Sequence, residues 1–245
     1  MRRMKWLLLA FLFQPLALAS TKYRIGVENI SYLPYYQSEH NQWSGFARDF
    51  LDGFAKSEGI EFEYVPVPIN RLYDKFLDPS SDLDFKFPDN EHWAGDKKKG
   101  KAVLYTDALV DFTDGTLVSP SRLGKPKSEL KTLGTVRGFT PWDYLADINE
   151  TKSIKLVEND VLKGLIEQAK TGRVQGIYAN VAVVRYTLEQ VMREPGALVF
   201  DPALPHTQGT YKLSTIKHEA LLKKVNAYIA THQGERKALE KKWGL

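Results

Sequence analysis

Short β-like runs alternate along this chain with stretches of helical period, and the rhythm starts over at Thr132. Alternation of this kind requires strands laid side by side in a mostly parallel sheet, with helices covering its faces. In the first unit Tyr23 to Val27, Glu61 to Val65 and Asp84 to Phe87 read as strands. Between them Phe46, Phe50, Leu51 and Phe54 share one helical face, as do Ile69, Leu72, Tyr73 and Phe76. In the second unit Leu133 to Val136, Ile154 to Val157 and Gly176 to Ala179 are strand-like. Pro141 sits where a first helical turn tolerates it. A stripe of Val161, Leu162, Leu165, Ile166 and Ala169 stops at Gly172, and Val181, Val184, Leu188 and Val191 form another. Ala197 to Phe200 closes the unit.

Two segments join these units. Asp111 to Val118 leads out of the first, and the proline- and glycine-rich stretch from Asp201 to Leu213 returns. Two helical stretches follow, His218 to His232 and Arg236 to Trp243, separated by Gly234. The second unit is therefore expected as an insertion in the first. The expected division is lobe 1 from residues 20–114 and 208–245, and lobe 2 from residues 115–207. Two hinge crossings between lobes leave a crevice, and a crevice between lobes is a natural ligand site.

The first nineteen residues have the layout of a cleavable secretory leader. Arg2, Arg3 and Lys5 precede an apolar run from Trp6 to Leu16, and small residues stand at Ala17 and Ala19. The run is too short for a membrane span, which needs about 20 residues. Cleavage after Ala19 predicts an exported, freely diffusing periplasmic protein. The precursor carries a net charge of +4, of which the leader supplies three, so the mature chain sits near +1. No concentrated basic surface is signalled, which argues against a nucleic-acid partner. The chain has no cysteine, so an exported domain must be held by its core alone. The five histidines are scattered without ligand spacing, and no nucleophile elbow or phosphate loop occurs. No catalytic residue, metal or cofactor is expected on these grounds.

Order and spacing along the whole mature chain resemble the periplasmic solute-binding proteins of polar amino-acid ABC importers, the family 3 type. The resemblance is carried by Tyr35-Tyr36 after the first strand, Gly45-Phe46 with Asp49, Gly59, Asp84, Leu133 to Val136 with Gly138 and Thr140, Tyr178 to Tyr186, Asn226, Gly234 and Lys242-Trp243. It implies a type II-like two-lobed binding-protein fold, a small polar solute as ligand, and an inner-membrane ABC permease or sensor as partner to a monomer. It also implies departures. Where the family holds a ligand carboxylate with arginine, this chain reads Phe87 to Trp93 and has none. Where the family grips a ligand ammonium with aspartate, this chain has Asn180. A standard α-amino acid is therefore not the expected ligand.

By position, Tyr35 and Tyr36 would wall the ligand with aromatic faces, which suit apolar or cationic groups. Trp43 and Trp93 complete such a box or fill the core. Arg71, at a helix start, offers a two-pronged clamp for a carboxylate or phosphate. Lys86, Asp89 and Asn90 lie on the strand and loop entering the crevice. In the second lobe Arg137, Gly138, Phe139 and Thr140 form a loop whose amides and hydroxyl suit an anion. Tyr178 and Asn180 are carried over by position. The cations among these residues point to a carboxylate-bearing or anionic solute. The competing expectation is an enzyme on the same scaffold, resembling the periplasmic cyclohexadienyl dehydratases, with Glu91 or Asp89 as proton donor.

Overall fold

The computed structural model describes residues 20–39 and 42–245. The expected leader, residues 1–19, lies outside the described residues. The first unit begins with β1 (Thr21–Glu28) and three short strands, β2 (Ser31–Tyr32), β3 (Tyr36–Glu39) and β4 (Gln42–Ser44). It continues through α1 (Phe46–Glu58), β5 (Ile60–Val67), α2 (Ile69–Phe76), β6 (Phe85–Asp89), α3 (Gly95–Lys98) and β7 (Leu104–Tyr105). A long strand, β8 (Val110–Val118), leads to β9 (Thr132–Val136), β10 (Lys155–Asn159), α4 (Leu162–Lys170), β11 (Gly176–Asn180), α5 (Val181–Tyr186) and β12 (Val199–Phe200). The chain returns along β13 (His206–Thr215) and ends in α6 (Glu219–Thr231) and α7 (Gln233–Trp243).

Ten strands form one continuous sheet in the order β10-β9-β11-β8-β13-β6-β1-β5, with β12 on β8 and β7 on β13. At one end β5, β1 and β6 run parallel; at the other β10, β9 and β11 do. Between them β8 and β13 pair antiparallel from His206 opposite Gly115 to Tyr211 opposite Val110. The expected division after Asp114 and before Gln208 falls inside this ladder. Each half has its own core. Phe46, Phe50, Phe54, Phe85 and Phe87 centre the first; Leu165, Ile166, Ile177 and Val184 centre the second.

The two halves share a packing device. The buried strands β1 and β9 each carry a glycine under a covering helix. A Cβ on Gly26 would lie 2.8 Å from a methyl of Leu72 in α2, and one on Gly134 would lie 2.6 Å from a methyl of Leu165 in α4. Both contacts are far inside van der Waals distance, so a bare backbone lets the helix seat directly on the sheet.

Three expectations change. The aromatic loop after the first strand contains the small antiparallel sheet β2-β3-β4, too short to show strand alternation in sequence. After Pro141 the chain makes a 3₁₀ turn, Trp142–Tyr144, and a π-turn, Ala146–Glu150, with no α-helix. Gly234 lies in the first turn of α7, where one glycine is tolerated, and does not separate two helices.

The halves also meet away from the ladder. Trp243 Nε1 and Lys242 Nζ both donate to Asp49 Oδ2, at 2.9 and 2.7 Å, fixing the end of α7 against α1. The Arg185 guanidinium of α5 donates to the Gly244 carbonyl across the gap. A cavity of about 400 Å³ opens beside this contact, between α5 and the end of α7. One exposed hydrogen bond from a charged donor contributes about 1–2 kcal/mol. Arg185→Ala is accordingly expected to shift the equilibrium between lobe arrangements roughly 5–30-fold toward separation. Spin labels placed on the two halves would read this as a longer distance distribution, and an unchanged distribution would remove the bridge from consideration.

Candidate functional site

Strand register builds a row of polar side chains across the hinge. Asn180 at the end of β11 pairs with Asp114 of β8, and Asp114 pairs in turn with Thr207 of β13. The three side chains therefore stand beside one another where the halves of the sheet meet. Asn180 is 1% exposed. Its Oδ1 accepts from the Val183 amide at 3.1 Å and caps α5, which turns its Nδ2 toward Asp114 Oδ1 at 3.1 Å and the Tyr211 hydroxyl at 3.4 Å. A second carboxylate, Asp143, accepts from Tyr178 Oη at 2.5 Å and from Thr207 Oγ1 at 2.7 Å.

Aromatic rings cluster beside the row. Phe112 and Tyr211 stack at 4.6 Å between centroids, Trp93 lies 5.8 Å from Tyr211, and Tyr35 meets Tyr211 edge-on at 5.0 Å. Tyr35 Oη donates to the Asp111 carbonyl at 3.2 Å. Burial pushes the Asp114 carboxyl up to about 7; the Asn180 donor opposes this and Asp143 adds to it. Burial likewise pushes the hydroxyls of Tyr32, Tyr35 and Tyr211 well above their ordinary range, so the rings act as neutral donors and walls.

Of the residues nominated from sequence, Tyr35, Trp93, Tyr178 and Asn180 come together here. Asn90 stands at its margin, with Nδ2 donating to the Thr210 carbonyl at 3.0 Å. Four others lie inside the first half. Tyr36 donates to Glu28 at 2.5 Å and packs on Phe87, and Trp43 stacks on Tyr64 at 4.4 Å. Lys86 and Asp89 are fully buried in a network in which Asp89 takes Lys98 Nζ at 2.8 Å, Tyr73 Oη at 2.6 Å and Ser214 Oγ at 2.6 Å. The Lys86 ammonium lies over the Tyr73 ring at 4.1 Å and reaches the Pro88 carbonyl. These are internal supports of the strand that ends at the crevice.

The remaining cations stand elsewhere. Arg137 is exposed and ion-paired to Asp160 at 2.6 Å and Glu158 at 3.2 Å. The adjacent Gly138, Phe139 and Thr140 line a separate surface pocket of about 220 Å³. Arg71 is exposed on the first turn of α2. Among the described residues no group of three metal-binding side chains occurs, and no helix is long and apolar enough to cross a membrane.

Asp114, Asp143, Phe112, Thr207 and Tyr211 went unnominated from sequence. They lie on or beside the connecting segments, and only strand register makes neighbours of residues 114, 180 and 207. The one local hint is Gly209. A Cβ there would stand 2.5 Å from the Phe112 ring, so the missing side chain marks where that ring crosses the ladder.

The same arrangement of two sheet halves and two connecting strands is found in known structures. The GluR0 ligand-binding core in complex with L-glutamate aligns with a TM-score of 0.69 at 14% identity, over 92% of this chain and 99% of that one. The ancestral cationic amino acid solute binding protein AncCDT-1, a precursor of cyclohexadienyl dehydratase, gives 0.68 at 19% identity, over 91% and 95%. The second substrate-binding domain of Lactococcus lactis GlnP, in open conformation, gives 0.65 at 18%, over 91% and 95%. The chain has the two-lobed periplasmic-binding-protein fold. No family model and no curated protein matches the sequence. In this binding-protein fold the row Asn180–Asp114–Thr207 stands where the lobes meet, and the rings beside it come from the two connecting strands and the first half.

Proposed function

We propose that the chain is an exported solute-binding protein that shuts its lobes over a small polar solute. Lobe 1 is residues 20–114 with 208–245, lobe 2 is residues 115–207, and the β8–β13 ladder is the hinge. The observation that carries this reading is the composition of the junction between the lobes: polar groups from β8, β11 and β13, beside an aromatic cluster of Tyr35, Trp93, Phe112 and Tyr211. Both lobes contribute, so a solute binding there stabilises the closed arrangement by its differential affinity for it. The structural neighbours bind amino acids or serve as substrate-binding domains, which supports delivery to an inner-membrane ABC permease or a sensor. The leader-like layout of residues 1–19 supports a periplasmic location. The anionic preference read from Arg71, Lys86 and Arg137 loses its basis. Lys86 is neutralised inside lobe 1, Arg137 is paired at the surface, and Arg71 stands exposed on α2.

Thermal unfolding of the mature chain against amino acids, organic acids, amines, sugars and nucleosides tests the reading. A bound solute at 100 times its Kd adds about 2.7 kcal/mol. At least one class is expected to raise Tm and to compact the protein in small-angle scattering. No response to any class would overturn the proposal.

A second reading, an enzyme on the same scaffold, draws on Asp114. Asp89 is held below the ordinary carboxylate range despite its burial, chiefly by Lys86, and Glu91 is held down by its Lys212 partner. Neither is a proton donor near neutrality. Asp114, at about 7, is poised as one. Conversion of a stabilising solute, seen by NMR, would favour the enzyme; recovery of the solute unchanged favours the binder.

A further inference from the structure

We infer, building on the solute-binding reading, that the crevice is made for a solute carrying a cationic nitrogen, with the Asp114 carboxylate as its counter-ion. The argument starts from the charges around the crevice. The basic side chains close to it are already matched: Lys86 and Lys98 to Asp89, and Lys212 to Glu91 at 2.6 Å. Arg185 of α5 is engaged with the Gly244 carbonyl. The carboxylates of Asp114 and Asp143 have neutral donors instead, namely Asn180, Tyr178 and Thr207. Among the described residues, neither has a basic side chain within ion-pair distance.

A half-buried carboxylate supported only by an amide loses hydration without gaining a counter-charge. An arriving ammonium or guanidinium restores that balance, whereas an arriving anion meets two carboxylates whose partners are neutral donors. The walls agree in chemistry. Trp93, Phe112, Tyr211 and Tyr35 form an aromatic cluster beside the same row, and aromatic rings attract cations through their electron-rich faces. Asn180 keeps the carboxylate in place. Its other end is fixed to the start of α5, so its amide cannot turn away from Asp114 without uncapping that helix.

The test is calorimetric and thermal titration of the mature chain at pH 8 and low salt. The probes are cadaverine, choline and L-arginine, against succinate and glutarate. At least one cationic probe is expected to bind, and neither dianion. Asp114→Asn is expected to weaken the bound cation at least 30-fold while leaving the free protein as stable or more so. Asp111→Asn, the same charge change on an exposed position of the same strand, is expected to stay within two-fold. Binding of a dianion but no cation, or an Asp114→Asn affinity within two-fold of the parent, would overturn the inference while solute binding itself stands. Failure of all five probes also overturns it, and the wider panel above then decides the fate of the solute-binding reading.

Discussion

Replacing Asp89 with alanine is expected to cost about 3–5 kcal/mol of folding stability, the range for stripping one partner from a buried ion pair. Asp89 is 0% exposed, and its carboxylate gathers Lys98, Tyr73, Ser214, the Asn90 amide and, at 3.9 Å, Lys86. Removing it strands two buried ammonium groups and three neutral donors at the end of β6. Asp89→Asn keeps the shape and one acceptor oxygen but puts a donor nitrogen in place of the other and deletes the charge, and should cost less, about 2–3 kcal/mol. The charge stays present across the neutral range because the folded carboxyl lies below its ordinary 3.8. Its contribution is therefore full above about pH 4 and fades as pH falls through that lowered value. Urea unfolding followed by circular dichroism measures both variants. Losses under 1 kcal/mol for both would show that the network is not what holds this strand.

Asn180→Asp is expected to destabilise the protein by about 2–3 kcal/mol at pH 8, and by less than about 1 kcal/mol below pH 5. The substitution turns the amide donor 3.1 Å from Asp114 into a second carboxylate. Two such groups in contact cannot both ionise without repulsion, so their shared folded pKa rises above the unfolded value near 4. The folded state then binds more protons than the unfolded one between about pH 4 and pH 8. Stability consequently falls as pH rises, the opposite slope to that of Asp89. Aspartate can still accept from the Val183 amide, so loss of the α5 cap does not confound the result. A penalty independent of pH would show that residues 114 and 180 are not electrostatically coupled.

Much of the fold was readable because its signals are local. The phenylalanine stripe of α1, the buried runs of β6 and β11 and the apolar face of α4 are periodic patterns lying within one element each. Even the long crossings were visible as the two segments that fit neither unit. The site was less readable. Asn180 and Tyr178 follow directly from a strand-to-helix step, but nothing local in the sequence sets Asp114 apart from the other acids of its connecting segment. Its importance comes from facing Asn180 on one side and Thr207 on the other, and those residues lie 66 positions downstream and still further along the chain. Cations misled for a related reason. Lys86 and Arg137 signal anion binding only if their partners are ignored, and Asp89 and Asp160 are partners that charge patterning in sequence could not assign.

The placement of Asp114 on β8 has a mechanical consequence. If Asp114 is the counter-ion of a bound solute, the strand that flexes when the lobes move also holds the guest's opposing charge. Gripping and bending are then one coordinate: a change in ladder curvature repositions the carboxylate. Affinity and the resting gap between jaws should rise and fall together in variants of this segment, and neither can be tuned alone.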